Sequence, residues 1–470
     1  MEQLAETDGG THGVAEMIFN ILLGILGLGI VVFVHELGHF LAAKASGITV
    51  EAFSLGWGRV LFARTWKGTE YRISMLPIGG YCKMKGEELF KKAIDENQSS
   101  IPDEEGSLFS VSVWKRMLTY AAGPLFNFIF AVLVLSIIWF SGFKIQTYDN
   151  RIIMLSDYPR LFSQIDNPAD AAGLRTGDRI VKVGSERIET YSDLQRVIAR
   201  SPQKTLPISF IRNGTEIVSS ISPELDLDTG AGRIGVAAWV DPVLDEVAEG
   251  RSAAAGGLRK GDKLVEANGV PVQHSLDLYI ALADRPSTLN LTYERDGNRA
   301  ETVIVPFYGE DGSIELGISF QTLTHNSPDL NIFQSIARGS SESIQTFVLT
   351  IKGVALLFSG VNVRKAVSGP VRITYLVGEV ASQGFQRGIG SGLINLFRFL
   401  SLLSVALCFG NLLPIPALDG GFLVLSVVEL IKGNSVSPKT FYRYQTIGFF
   451  IILVILFLTT FSDISYLFSN

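Results

Sequence analysis

The sequence has few cysteines, few charges and no basic residue near its amino terminus, and each scarcity excludes a class of protein. Its 470 residues include 2 cysteines, so no disulfide framework is implied. Charged residues make up 18% and the mean hydropathy is +0.30, which is too apolar for an ordinary soluble enzyme. The net charge of −6 gives no indication of nucleic-acid binding. Residues 1–16 lack Lys and Arg, so we expect that the apolar stretch after them is not a cleavable signal peptide.

Four apolar stretches predict membrane-spanning helices. A helix needs about 20 apolar residues to cross the hydrocarbon core of a bilayer. The fourth stretch has a run of only 15 residues and must include its flanking residues to reach this length. The predicted spans cover 17–46, 117–141, 393–413 and 444–467. A membrane core with a soluble insert therefore fits the composition.

Basic residues orient these spans through the positive-inside rule. The loop at 44–116 carries 11 Lys or Arg, whereas the tail at 1–16 carries none. We therefore expect a plasma (inner) membrane protein with both termini and the 142–392 region outside the cytoplasm. The loops at 44–116 and 414–443 are then inside, and the inner ends of the first and third spans lie at the same depth.

The first span contains the sequence HELGH. His35 and His39 are four residues apart, so both imidazoles lie on one face of a helix and can reach one metal ion. Glu36 lies beside them, where a carboxylate can take a proton from an attacking water. Ionisable groups at membrane depth are costly and normally face protein or a water-filled cavity. We predict a metal site here; the alternative is a chance match whose histidines mark the lipid interface.

A catalytic zinc site usually has three protein ligands and one open position. The remaining histidines, His12, His274 and His325, are expected on the outer side of the membrane. Asp419 follows a proline-containing break after the third span and precedes two glycines. Irregular backbone at membrane depth is tolerated only where it is buried in protein or lines a cavity. We therefore predict Asp419 as the third ligand; the alternative is a turn aspartate that caps the next helix.

The loop after the first span contains a predicted β-hairpin at 71–85. Its apolar residues alternate, and Pro77, Gly79 and Gly80 are expected to form the turn. Apolar residues flank this turn. The hairpin is therefore either re-entrant, with its turn in the membrane, or an ordinary surface hairpin.

The outer region contains an internal repeat. AAGLRTGDRIVKV at 171–183 matches AGGLRKGDKLVEA at 255–267, with an offset of 84 residues. This period is too long for a solenoid and predicts two tandem globular domains. Their GLRxGD motif resembles the PDZ family, whose members bind extended peptides along a sheet edge. The resemblance implies two extracytoplasmic domains that control substrate access; structural spacers are the alternative.

Three motifs together resemble those of the site-2 protease family. They are HELGH at 35–39, AGPLFN at 122–127 and NLLPIPALDGG at 411–421. LPIGGY at 76–81 and SGPVRI at 368–373 also resemble this family. The tandem repeats narrow the resemblance to its RseP-type members, and the match covers nearly the whole chain.

This resemblance implies an intramembrane zinc endopeptidase that cuts transmembrane segments of single-span proteins. The implied substrates are anti-sigma-factor-like regulators after an earlier trimming step, and remnant signal peptides. One Zn²⁺ is expected on His35, His39 and Asp419, with Glu36 as the catalytic base. An asparagine at this depth is equally suited to hold helices together, and for Asn127 both roles stay open. The residues expected to contact substrate are Asn411, Asn127, Gly79 and Gly80.

Two other functions fit parts of the sequence. A PDZ-bearing membrane scaffold or chaperone would carry a non-catalytic metal site, but a structural zinc site normally has four protein ligands and three are found. A transporter would have repeated membrane halves, whereas the repeat found here lies outside the spans.

The fold class that follows is a multi-pass α-helical membrane protein with four transmembrane helices, a re-entrant β-hairpin and two α+β PDZ-like domains. Its predicted parts are an external tail at 1–16, the first span at 17–46, a cytoplasmic or membrane-associated loop at 47–116, the second span at 117–141, a first repeat domain at 147–228, a second repeat domain at 229–325, an external amphipathic helix and linker at 330–392, the third span at 393–413, a loop and helix at 414–443, and the fourth span at 444–467.

Overall fold

The computed structural model of the chain divides into two compact units. A membrane unit comprises residues 1–143, 328–355 and 363–470, and a repeat unit comprises residues 144–327 and 356–362. The structure describes residues 6–86, 88–96, 98, 101–102, 104–162, 167–227, 229–309, 313–357, 368–386 and 388–469.

Helices dominate the membrane unit and strands dominate the repeat unit. In chain order the described helices are α1 (Glu6–Ser46), α2 (Leu89–Asp95), α3 (Val113–Ser141), α4 (Pro168–Ala171), α5 (Tyr191–Ala199), α6 (Ser252–Ala255), α7 (Ser275–Leu282), α8 (Ile332–Leu356), α9 (Pro370–Gln386), α10 (Ile389–Leu412), α11 (Asp419–Lys432) and α12 (Pro438–Ser469). The described strands are β1 (Val50–Trp66), β2 (Thr69–Met84), β3 (Lys144–Thr147), β4 (Ile152–Met154), β5 (Arg179–Val183), β6 (Glu186–Arg187), β7 (Leu206–Arg212), β8 (Thr215–Ile221), β9 (Glu224–Leu225), β10 (Gly232–Arg233), β11 (Val236–Ala238), β12 (Leu244–Val247), β13 (Lys263–Ala267), β14 (Val270–Pro271), β15 (Leu289–Arg295), β16 (Asn298–Ile304), β17 (Phe307–Tyr308), β18 (Ile314–Glu315), β19 (Ile318–Phe320) and β20 (Leu323–Asn326).

Among the residues that the structure describes, four helices are long and apolar enough to cross a membrane, which agrees with the predicted number of spans. They are Ile18–Ser46 within α1, Val113–Ser141, Ile389–Leu412 and Pro438–Asp463 within α12. The fourth span reaches sufficient length because α12 continues on both sides of its short apolar run. Helix α8, in the segment predicted as an external amphipathic helix, is not among these candidates.

Helices α1, α3, α9 and α10 form the core of the membrane unit. Helix α1 packs against α3 and α9, and α10 packs against the same two helices. Two glycines let the backbones of α1 and α9 approach closely. A Cβ atom on Gly24 would collide with the backbone of Thr374, and one on Gly378 would collide with the backbone of Asn20. Within the segment 330–392, predicted as an external amphipathic helix and linker, the structure forms helices α8 and α9.

The predicted hairpin at 71–85 is wrong in its pairing. The hairpin is formed by β1 and β2, and its turn is at Lys67 and Gly68, both of which have positive φ. Residues 52–55 of β1 pair with 80–83 on one side and with 70–73 on the other. The two halves of the 71–85 segment therefore flank β1 and do not pair with each other, and Gly79 and Gly80 lie within β2.

The repeat unit contains two copies of one α+β arrangement. The four-stranded sheets have the equivalent orders β6-β5-β7-β8 and β14-β13-β15-β16. Strand β11 pairs with β4 in the first copy, and β19 pairs with β12 in the second. Ile234, just before β11, is part of the hydrophobic core of the first copy. The first repeat domain therefore extends to Ala238. The predicted boundary at residue 228 is too early, because the closing strand is distant in sequence from its partner.

The longer helix of each repeat domain, α5 in the first and α7 in the second, begins at an equivalent position. The two starting residues are 84 positions apart in the sequence. Thr190 precedes α5, and its hydroxyl accepts a hydrogen bond from the Asp193 backbone. His274 precedes α7, where its Nε2 lies 2.9 Å from the hydroxyl oxygen of Tyr158 in the first repeat domain. The Tyr158 hydroxyl also donates to Asp277, the counterpart of Asp193. His274 thus contributes to the contact between the two repeat domains.

Candidate metal centre

The structure brings the two histidines of the HELGH motif together with Asp419. The Nε2 atoms of His35 and His39 are 3.1 Å apart on successive turns of α1. Oδ2 of Asp419, the first residue of α11, lies 3.2 Å from His35 Nε2 and 3.4 Å from His39 Nε2. These residues form a group of possible metal ligands among the described residues.

The geometry and the chemistry of these three residues fit zinc. Bonds of about 2.0–2.2 Å in a tetrahedral site hold ligand atoms about 3.3–3.6 Å apart, which is close to the separations observed. Two imidazoles and a carboxylate are ligands that catalytic zinc uses. Oδ2 of Asp419 is buried and lacks a hydrogen bond within the described part of the chain, as expected for an acceptor that a cation satisfies.

Asp419 reaches the histidines because the chain breaks between α10 and α11. The break contains Pro414 and Pro416, and Ala417 adopts a positive φ of 72°, which is unusual for a residue other than glycine. Gly420 and Gly421 then pack directly on backbone atoms of the break, where a Cβ atom would collide. The aspartate that starts α11 is thereby directed toward α1.

One stripe of α3 contacts both histidines. His39 Nδ1 donates to the Thr119 carbonyl at 2.8 Å, which leaves its Nε2 free to bind metal. Gly123 lies against both rings; a Cβ there would lie 2.8 Å from His35 Cε1 and would collide with His39. The Asn127 amide lies 3.3 Å from His35 Nδ1. The spacing of 119, 123 and 127 follows the helical repeat, which is the sequence signal that could have found this stripe.

Asn127 is fully buried, and its Oδ1 has no hydrogen-bond partner among the described residues. Rotating the side-chain amide of Asn127 by half a turn exchanges the positions of its oxygen and nitrogen. Oδ1 would then accept the Nδ1–H of His35 and leave the opposite nitrogen of that ring free for metal. The structure thus places Asn127 behind a histidine, whereas the sequence suggests substrate contact or helix packing.

A cavity of about 630 Å³ lies beside the three possible ligands, and Glu36 lines it together with His35 and Asp419. Glu36 accepts a hydrogen bond from the backbone N–H of Cys82 on β2. Asn411 also lines the cavity, with its amide 3.5 Å from His35 Nε2.

The two glycines predicted to contact substrate lie on β2. A Cβ on Gly80 would lie 3.6 Å from Cγ of Glu36. Gly79 has a φ of 90°, which favours glycine, and lies against the indole of Trp57. Sequence reasoning missed the Cys82 contact because it depends on how β2 pairs with β1.

Comparisons with known proteins agree along most of the chain. A profile described as peptidase family M50 matches residues 23–455. A putative zinc metalloprotease of Treponema pallidum is 39% identical and covers 96% of this chain and 100% of its own length. A putative zinc metalloprotease of Borreliella burgdorferi is 30% identical, with coverages of 94% and 98%. The regulator of sigma-E protease RseP of Salmonella typhimurium is 28% identical, with coverages of 96% and 99%.

Proposed function

Because this chain belongs to peptidase family M50 and is a zinc metalloendopeptidase of the site-2 type, we propose that it cuts transmembrane segments of single-span membrane proteins. The observation that carries the proposal is the meeting of His35, His39 and Asp419. The two histidines lie on a helix long and apolar enough to span a membrane. Three ligands are the number that one catalytic zinc ion usually has. Because the histidines lie on a candidate span, the peptide bond would be cut within the bilayer.

Glu36 is the base in this proposal. When bound, zinc polarises the scissile carbonyl and lowers the pKa of a water molecule from ~15.7 to ~7. The Glu36 carboxylate takes the proton of the attacking water and later gives one to the leaving amine. The backbone N–H of Cys82 holds this carboxylate at the cavity wall. Asn411, across the cavity, is the candidate for holding the substrate backbone.

The strand β2 is the proposed docking edge for the substrate. A transmembrane helix hides its peptide bonds in internal hydrogen bonds, so a short segment must unwind before cleavage. Such a segment can add to a sheet as an extra strand. Gly80 of β2 lies beside Glu36, so a strand added along this part of β2 would pass close to the proposed base. Exposed apolar residues on the hairpin, including Trp57 and Leu76, support a position within the membrane.

We assign the two repeat domains to the control of substrate access. Their motif resembles that of PDZ domains, which take up extended peptides or chain termini. Basic residues in the loop between the first two spans support an orientation with the repeat domains and both termini outside the cytoplasm. The relatives named regulators of sigma-E protease suggest anti-sigma-factor-like substrates that were trimmed beforehand, and remnant signal peptides form the second substrate class.

A membrane scaffold with a non-catalytic metal is the second candidate function. A closed structural zinc site would need a fourth protein ligand. Among the described residues, the group of possible ligands has three members, and a cavity lies beside it. A site with three ligands and an adjacent cavity favours catalysis.

The test uses the full chain purified in detergent and a tagged single-span membrane protein whose outer part has been removed. The parent is expected to cut the substrate, lose cleavage with a zinc chelator and regain it with zinc. Glu36→Gln is expected to keep zinc and lose cleavage, whereas Glu105→Gln, at an exposed position of the membrane unit, is expected to cleave like the parent. Cleavage by Glu36→Gln at the parental rate would exclude the proposed mechanism.

A further inference from the structure

Arg116 and Glu429 form a buried ion pair in the membrane unit. Arg116 Nη2 lies 2.7 Å from Glu429 Oε2, and the two residues are 7% and 8% exposed. The other carboxylate oxygen, Oε1, accepts a hydrogen bond from the Val436 backbone at 2.9 Å. Burying two charges costs desolvation energy that their attraction often fails to recover. Such a pair is therefore weak evidence of a gain in stability, and its position calls for a separate explanation.

The pair joins α3 to the helix that carries the third metal ligand. Arg116 lies in the first turns of α3, and Glu429 lies near the end of α11. Asp419 is the first residue of α11, about 15 Å from Glu429 along the helix axis. Because α11 is one continuous helix, fixing its far end also fixes the direction of the end that carries Asp419.

Helix α3 holds the two histidines by direct contact. The Thr119 carbonyl accepts from His39, and the Asn127 amide lies against His35. Arg116 lies one turn before Thr119, on the same stripe of the helix. Thus one helix contacts two of the ligands directly and reaches the third through Arg116 and Glu429.

The amino-terminal end of α11 is also held by the packing of Gly420 and Gly421 on the break and by the stacking of Phe422 on Tyr120 of α3, with ring centroids 5.1 Å apart. It follows an irregular break that includes the positive-φ residue Ala417. The histidines, by contrast, lie within the long regular helix α1. Asp419 is therefore the ligand whose position depends most on how its helix packs.

We propose that the ion pair of Arg116 and Glu429 positions Asp419 for zinc binding, with α3 as the common support of all three ligands. This inference rests on the metal site of the proposed function. Neither residue contacts the metal or the substrate; both act through α11. Removing the pair lets α11 shift against α3, so the carboxylate of Asp419 is less often in place and zinc is bound more weakly.

The test is the double variant Arg116→Met/Glu429→Gln in the full chain. Removing both charges avoids an unpaired buried charge, so the fold is expected to survive. The introduced glutamine adds no new contact, since its amide oxygen only replaces the acceptor for the Val436 N–H. Zinc affinity is measured by competition with a chromophoric chelator, and thermal unfolding is measured in parallel. We expect roughly 10-fold weaker zinc binding with a nearly unchanged Tm, which is the lower end of the range for groups that hydrogen-bond a metal ligand directly.

The control is Arg398→Met/Glu342→Gln, a second ion pair of the membrane unit whose side chains are more exposed, at 35% and 32%. Arg398 Nη2 lies 3.4 Å from Glu342 Oε1, and this pair links α10 to α8 instead of α3 to α11. Glu342 also accepts from the Trp139 indole, so Gln preserves an acceptor there as well. The control is expected to bind zinc like the parent. Equal losses in both double variants would mean a general loosening of the unit and would overturn the proposal.

Three further outcomes are decisive. Parental zinc affinity in the Arg116→Met/Glu429→Gln variant overturns the positioning role and leaves the proposed protease function intact. A parent that binds no zinc overturns both. If the double variant fails to fold, Glu429→Asp is measured, which keeps both charges but shortens the side chain that reaches Arg116. A smaller loss of zinc affinity supports the proposal, and parental affinity overturns it.

Discussion

Two nitrogens of the Arg295 guanidinium donate hydrogen bonds to the two carboxylate oxygens of Asp262. Nε lies 2.7 Å from Oδ1 and Nη2 lies 2.7 Å from Oδ2, while Nη2 also donates to the Gly257 carbonyl. Asp262 is 1% exposed. The first repeat domain contains the equivalent contact between Asp178 and Arg212. The pair thus explains why a Gly-Asp turn and a later arginine recur in both repeats.

Replacing Arg295 by Met is expected to destabilise the second repeat domain by about 3 kcal/mol, because it leaves the Asp262 charge buried without its partner. Hydrogen exchange of the full chain measures the effect domain by domain, and protection should fall in the second repeat domain. Arg299→Met, at an exposed position on the neighbouring strand, is the matched control and should leave protection unchanged. Equal protection in Arg295→Met and the parent would contradict the assignment.

Stability of the second repeat domain is expected to fall in acid. Burial alone would raise the pKa of Asp262, but hydrogen bonds and the positive charge of Arg295 outweigh burial and hold that pKa below its ordinary value of 3.8. The unfolded chain then binds more protons at low pH. The contribution is present above the unfolded pKa and is lost as pH falls through the lower folded-state pKa. Denaturation from about pH 6 to about pH 2 measures this loss, and Arg295→Met should reduce the pH dependence.

Adding one methyl group at Gly123 is expected to weaken zinc binding. Its Cβ would collide with His39 and press on His35, so α1 and α3 would have to separate. Gly410→Ala is the matched control within another candidate span, because the space around Gly410 is open. Zinc retained after dialysis against a chelator is the measurement. Full retention by Gly123→Ala would show that the helices relax without disturbing the ligands.

Replacing Asn127 by Leu is expected to lower zinc affinity roughly 10- to 100-fold, because Nδ1 of His35 loses its buried partner. Asn127→Asp keeps an acceptor and is expected to lose less. Asn395→Leu, at a half-buried asparagine on α10, controls for loss of an amide in a membrane helix. A parental zinc affinity in Asn127→Leu, combined with a raised KM for substrate, would favour direct substrate contact instead.

Local sequence patterns were sufficient to predict the four long apolar helices and to single out His35, His39 and Asp419. His35 and His39 share a helix face by spacing alone, and the proline-containing break before Asp419 indicated an unusual backbone. The hairpin was mispaired because Gly56 and Gly58 interrupt the alternation in β1, whereas the pairing of 52–55 with two partners is a tertiary feature.

Contacts between distant segments could not be predicted from the sequence. Arg116 and Glu429 are separated by 313 residues, and nothing in either local pattern indicates the other. The sequence does carry a signal for α9, because Ile373, Val377 and Ala381 recur at helical spacing and pack together. Only the close approach of α9 to α1 at Gly24 and Gly378 is a tertiary feature. The first repeat domain was cut short because its last strand pairs with its first.

Because the chain carries two copies of one domain, the two copies can be aligned with each other. Positions at which the copies agree report what the domain needs to fold, wherever it sits. Positions at which they differ report what each copy acquired after duplication. The residue before the repeat helix is Thr190 in one copy and His274 in the other, and only the histidine reaches across to Tyr158. The contact between the two domains therefore uses one residue that the copies share, Asp277, and one in which they differ, His274.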